Sequence, residues 1–197
     1  MLYADDVIIL RDSIKKCQLC PLYKGALHKV MPRGYYTNTK IVFVGEAPGP
    51  EEDKEGTAFV GRSGKLLDKW IKELDIEGEY YITNVVKCFP YEKLDNGKKK
   101  IMRPPVESIK TCSKYLDLEL LILKPLVVVA LGSTAAQYFL KKDKIKVTDY
   151  AYRTFKKKDY FLHILLHPSY YLRNHKNANL VQLHKLIKKL KEKKLWQ

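Results

Sequence analysis

Three short runs of this chain are apolar almost throughout: Ile41–Val44, Pro125–Leu131 and Phe161–Leu166. Tyr80–Val85 adds a fourth run of strand-forming residues. Runs this short without polar alternation read as strands buried on both faces. Between them the apolar residues recur at helical spacing, in Leu66–Leu74, Val106–Leu123 and Gly132–Leu140, with Ser63 expected to cap the first of these helices. Strands alternating with helices require an α/β fold whose parallel sheet is covered on both faces.

The flanks add a short helix over about Asp5–Lys16, a Cys-x-x-Cys loop, and an irregular stretch Pro21–Lys40 with a turn at Pro32-Arg33-Gly34. Lys87–Pro105 reads as a basic loop, and Asn179–Trp196 as a Lys-rich C-terminal helix. His167-Pro168-Ser169 breaks the last strand. No stretch has linker composition, so residues 1–197 are expected to form one domain.

The first strand runs straight into Gly45-Glu46-Ala47-Pro48-Gly49, followed by Phe59-Val60-Gly61-Arg62. Two glycines and a proline at a strand's carboxyl end make a turn whose backbone can approach a ligand closely. The spacing G-x-G-x-x-G is absent, which argues against a dinucleotide. Glu46, Asn84 and His167 all fall at carboxyl ends of strands, where open α/β sheets bind ligands. A carboxylate and the Phe59 ring delivered to one crevice suit a flat, polar ring.

Lys and Arg number 37 against 22 Asp and Glu, a net charge of +15. Such an excess points to a polyanionic partner, most simply nucleic acid; a solvated, lysine-rich surface is the plainer alternative. No apolar run reaches membrane length, and the N-terminus lacks a signal peptide's order, so a soluble, cytoplasmic protein is expected.

The four cysteines are Cys17, Cys20, Cys88 and Cys112. Disulfides are not expected in such a compartment. One C-x-x-C pair with two distant thiols can close a tetrathiolate site for zinc or for a 4Fe–4S cluster, and spacing does not choose between them.

Taken together, C-Q-L-C at 17–20, G-E-A-P-G at 45–49, E-E-D-K-E-G at 51–56, F-V-G-R-S-G at 59–64, I-T-N-V-V-K-C at 82–88 and H-P-S-Y at 167–170 resemble the family 4, iron–sulfur uracil-DNA glycosylases. The blocks occur in family order over nearly the whole chain. The resemblance implies a three-layer α/β/α sandwich around a short, four-stranded parallel sheet, with a structural 4Fe–4S cluster on the four cysteines. It also implies hydrolysis of the N-glycosidic bond of deoxyuridine in DNA. An enzyme of the same superfamily acting on thymine or hypoxanthine, and a non-catalytic iron–sulfur DNA-binding module, are the rival readings.

The chain departs from the family pattern at Ala58, where proline is usual, at Ser63, where alanine is usual, and at K-C-F-P in place of K-C-R-P-P. The insert Gly97–Met102 resembles the Lys/Arg-rich loop of a related branch that becomes trapped covalently on the abasic sugar through a histidine. Met102 holds the comparable position here, so turnover without trapping is expected.

The implied roles follow the chemistry. A flipped uracil would stack on Phe59 and pair through N3–H and O4 with the Asn84 amide. His167 would donate to O2 as charge builds, with backbone N–H groups of Gly45, Glu46 and Ala47 nearby. In the long-known uracil-DNA glycosylases an Asp occupies the position of Ala47, so Glu46 is the candidate catalytic carboxylate. Glu52 is expected to crowd uracil C5, although either Glu can instead cap a turn or pair with Arg62 or Lys65. Lys98, Lys99, Lys100 and Arg103 are the candidate phosphate contacts. Tyr171, Leu172 and Arg173 are the candidate wedge. The expected partner is uracil-containing DNA, met as a monomer; no feature decides on a protein partner such as a sliding clamp.

Overall fold

A computed structural model describes residues 2–97 and 99–196, with side chains from residue 5 onward. Lys98 lies outside the described residues. The elements in chain order are α1 (Leu2–Lys15), β1 (Arg33–Gly34), β2 (Ile41–Gly45), α2 (Pro50–Glu55), α3 (Arg62–Glu73), β3 (Tyr80–Asn84), β4 (Tyr91–Lys93), β5 (Lys99–Ile101), α4 (Val106–Leu123), β6 (Val127–Leu131), α5 (Ser133–Leu140), β7 (Thr154–Lys156), β8 (Phe161–Leu165), α6 (Pro168–Asn174) and α7 (Val181–Glu192).

The main sheet has the order β1-β3-β2-β6-β8-β7. Its four central strands are parallel, as expected. Short antiparallel strands β1 and β7 extend both edges, in segments that carry no strand pattern of their own. They pair as edges because each lies on an irregular return beside an unpaired outer strand, a tertiary opportunity that local propensity does not encode.

Successive residues of each central strand feed opposite layers. Ile41, Phe43, Ile82, Val127, Val129, Leu131 and Leu165 face α3, α6 and α7, meeting Leu67, Trp70, Ile71, Tyr171, Leu183 and Ile187. Val42, Val44, Tyr81, Val128, Ala130, Leu162 and Ile164 face α1, α4 and α5, meeting Leu10, Ile14, Tyr115, Leu116, Ala135 and Phe139. The result is the expected three-layer sandwich.

Two local expectations are corrected. Ser63 does not cap α3: the N-cap is Gly61, with no side-chain cap of its own. Lys87–Pro105 is not a plain loop, because β4 and β5 form an antiparallel hairpin within it. That hairpin is tied down at its base, where the Tyr91 hydroxyl donates to the Gly25 carbonyl at 3.1 Å.

Candidate active site

The carboxyl ends of β2, β3, β6 and β8 open into one cleft of about 520 Å³. Its lining includes Glu46, Ala47, Glu52, Phe59, Asn84 and His167, so most of the expected base-binding residues meet in one place. Gly45 and Asn84 form the floor as register partners on the last rung of β2 and β3.

Asn84 is 3% exposed, and its Oδ1 has no hydrogen-bond partner among the described residues. A buried amide oxygen left unpaired is costly unless a ligand donor completes it. Phe59 stands beside it. Its backbone adopts φ 55°, the left-handed region that non-glycine residues rarely enter. Arg33 fixes this turn: its Nε donates to the Ala58 carbonyl at 2.8 Å and its Nη2 to the Phe59 carbonyl at 3.0 Å. The same Nη2 pairs with Asp68 at 2.7 Å. Gly64 lets α3 rest on this turn, since a Cβ there would lie 1.7 Å from the Phe59 carbonyl oxygen. Phe59 is 5% exposed, so its ring is both core and cleft wall. The only sequence signal at Arg33 is the Pro-Arg-Gly turn, which does not announce this role.

His167 faces the Phe59 ring with centroids 5.9 Å apart. It also caps α6, its Nδ1 accepting from the Ser169 N–H at 3.2 Å. An accepting Nδ1 leaves the ring proton on Nε2. Burial, helped by the positive charge of Arg173, lowers the His167 pKa to about 4. The imidazole is therefore neutral near pH 7, with its Nε2–H free to donate.

Glu46 is half-buried in the cleft, and its Oε2 accepts from the Thr134 hydroxyl. Thr134, at the start of α5, is a positioning partner that no sequence pattern announces. Glu52 takes the alternative allowed for it: its two oxygens accept from the Gly49 N–H at 3.0 Å and the Gly61 N–H at 2.9 Å. It staples the two loops of the cleft while still forming part of the wall. Ile101 and Met102, from the hairpin end, complete the rim with Pro90 and Arg173.

Two sets of DNA-contact expectations change. Tyr171 cannot be a wedge: it is 3% exposed, packs edge-on against Trp70 at 5.4 Å and shares a 2.9 Å hydrogen bond with Tyr152. Leu172 is half-buried, whereas Arg173 is exposed and borders the cleft. Lys99 is not a free phosphate contact. Its ammonium lies 3.6 Å from the buried Asp53 carboxylate and 4.1 Å from the Tyr91 ring centroid. Lys100 makes an exposed pair with Glu92 at 3.3 Å, and Arg103 is exposed against Gln137.

Cys17, Cys20, Cys88 and Cys112 line a single pocket beneath Val86 and Lys87, and all are free thiols. Burial first, then the neighbouring thiols, pushes the Cys88 thiol up to about 12, and burial pushes that of Cys112 up to about 11. Thiolates there need a cationic centre to balance them. Among the described residues no three His, Cys, Asp or Glu groups close to the spacing that grips a metal ion.

An open α/β sheet whose strand ends bring a carboxylate, an amide and an imidazole into one cleft, on a strongly basic chain, has the architecture of an enzyme suited to a polyanionic substrate. The model of the uracil DNA glycosylase superfamily matches residues 32–191. A type-4 uracil-DNA glycosylase of Thermotoga maritima is 39% identical over 86% of this chain and 84% of its own length. Another, from Sulfurisphaera tokodaii, is 35% identical over 86% and 77%. The chain belongs to the type-4 uracil-DNA glycosylase family. The fold likeness extends further, to the crystal structure of wild-type Pedobacter heparinus SMUG2, with TM-score 0.57 and 14% identity over 98% of this chain and 97% of that one. Among the described residues no helix is long and apolar enough to cross a membrane.

Proposed function

We propose that this protein removes uracil from DNA by hydrolysing its N-glycosidic bond, leaving an abasic site. The observation that carries the reading is the unpaired, buried Oδ1 of Asn84 at the cleft floor. Uracil N3–H is a donor that completes it, while the amide NH₂ of Asn84 donates to O4. Cytosine presents the opposite pattern at both positions. Across the cleft, neutral His167 donates Nε2–H to O2, where negative charge develops as the bond breaks. Phe59 offers its ring as the stacking wall for the flipped base. Glu46, held by Thr134, is the carboxylate placed to orient water or to stabilise positive charge on the sugar.

Cys17, Cys20, Cys88 and Cys112 would hold a structural 4Fe–4S cluster. When bound, it supplies a fixed crosslink between the end of α1, the segment after β3, and α4. Lys100, Arg103, Leu172 and Arg173 are the remaining DNA contacts, and Lys98 joins them on sequence alone. The protein acts as a monomer of one domain, inside the cell, with DNA as its partner.

The test is uracil release from a labelled duplex by anaerobically purified protein, beside Asn84→Asp. The native protein is expected to release uracil and leave no covalent adduct. Asn84→Asp is expected to lose uracil excision, because a carboxylate cannot donate to O4 and repels it. Undiminished excision by Asn84→Asp would remove Asn84 as the base reader.

A further inference from the structure

A short strap of chain, residues 84–88, joins the cleft floor to the cysteine pocket. Its backbone N–H groups are all engaged between the ends: Val85 donates to the Gly45 carbonyl at 3.0 Å and Val86 to the Glu46 carbonyl at 3.0 Å. The Lys87 N–H donates to Cys112 Sγ at 3.3 Å.

The Lys87 side chain turns inward from this strap and is 2% exposed. Its ammonium donates to Thr83 Oγ1 at 2.6 Å, to the Asn84 carbonyl at 2.9 Å, and to both oxygens of Glu119 at 3.0 and 2.9 Å. Glu119 is 1% exposed and also accepts from the Thr83 hydroxyl at 3.0 Å. Glu119 and Cys112 both belong to α4, so the main chain and the side chain of one lysine grip the same helix at two points.

A buried ion pair of this kind seldom adds stability beyond what apolar residues of the same size would give. This one is directed at the carbonyl of the residue that forms the cleft floor. We propose that Lys87 is a positioning residue for base reading: by locking the peptide plane that follows Asn84, it aims the Asn84 amide and ties that aim to the helix carrying Cys112. The inference rests on the reading of Asn84 as the base reader. An ammonium with several acceptors holds geometry through charge-assisted hydrogen bonds. A small misplacement of a recognition group costs on the order of 10²-fold in rate.

The test uses the double variant Lys87→Met/Glu119→Met, which removes the pair without stranding a charge, and the milder Thr83→Val. Three quantities are read: kcat/KM on uracil duplex, visible cluster absorbance per protein, and a binding ratio. The ratio compares a duplex carrying non-cleavable 2′-fluoro-deoxyuridine with the same duplex carrying thymine.

The double variant is expected to keep its absorbance and its affinity for the thymine duplex. Its binding ratio and its kcat/KM should both fall by about 10- to 100-fold. Thr83→Val should lose part of the same ratio. A folded double variant with native discrimination overturns the proposal, as does equal loss of affinity for both duplexes, which marks a merely structural pair. If the double variant does not fold, unchanged discrimination in Thr83→Val overturns it. Failure of the underlying reading shows separately, as native uracil discrimination in Asn84→Asp.

Discussion

A Cβ added to Gly45 would lie 2.4 Å from Asn84 Oδ1 and 2.6 Å from Cζ of Phe59. Gly45 and Asn84 are register partners on the last rung between β2 and β3, so neither backbone can withdraw. The proposed base reader and stacking wall converge because one side chain is missing beneath them. Gly45→Ala must therefore push Asn84 or Phe59 into the space the base needs. Uracil excision is expected to fall by on the order of 10²-fold, while affinity for undamaged duplex, dominated by phosphate contacts, stays close to native. Single-turnover kinetics beside a duplex-binding titration checks this, and near-native excision would show that the floor has slack.

The parallel strands and the helices between them were legible because burial on both faces leaves an apolar run that nothing else explains. Gly45, Glu46, Asn84 and His167 were legible because strand ends and family blocks coincide there, and Phe59 because a family block carries it. What stayed hidden was made by tertiary contact. Arg33 reaches the Phe59 turn across 26 residues of sequence, and Thr134 reaches Glu46 across 88. Tyr171 looks like part of a DNA-facing loop because Pro168 follows a strand, yet the segment coils into α6 and turns that ring inward onto Trp70. Lys99 looks like one of a row of phosphate-contacting lysines. The hairpin twists it over Tyr91 and toward Asp53.

His167 is held near pKa 4 by burial and by Arg173, well under its ordinary value of 6.5. The kcat/KM profile is therefore expected to show no histidine limb near 6.5, staying flat on that account until acid near pH 4. Buried His163 is also lowered to about 4. Both groups take up protons more readily when unfolded, so their effect on stability has a definite sign. Stability is highest above about pH 6.5 and falls as the pH drops toward 4. His167→Ala should slow bond cleavage by about 10²- to 10³-fold with little loss of duplex binding. A rate limb near 6.5 that vanishes in His167→Ala would show that the imidazole titrates normally.

Four free thiols in one pocket make a direct prediction about colour. Protein purified without oxygen should be brown, with broad visible absorbance typical of thiolate-ligated iron–sulfur clusters. Cys112→Ala should bleach it and loosen the segment after β3, because the Lys87 N–H loses its acceptor. Colourless, active protein carrying one equivalent of zinc would assign the pocket to a different metal.

The hairpin lysines should separate by role although they are neighbours in sequence. Lys99 is engaged with Asp53 and two aromatic rings, so Lys99→Ala should destabilise the protein by about 1 kcal/mol. That corresponds to a drop of roughly 2–4 °C in Tm for a chain of this size. It should leave the salt dependence of DNA binding unchanged, because the Lys99 ammonium is already paired with Asp53 and seated over the Tyr91 ring. Lys100 is 58% exposed in a weak pair, and Arg103 is exposed at the hairpin's exit. Replacing either with Ala should leave Tm near native and flatten the slope of log affinity against log salt by up to about 0.9 for each phosphate that the variant no longer neutralises. Melting curves and salt titrations on uracil duplex for the three single variants decide the matter. A shallower slope in Lys99→Ala would mean that its pairing with Asp53 gives way to phosphate when DNA binds. Parallel slopes for Lys100→Ala and Arg103→Ala would place the DNA path away from the hairpin.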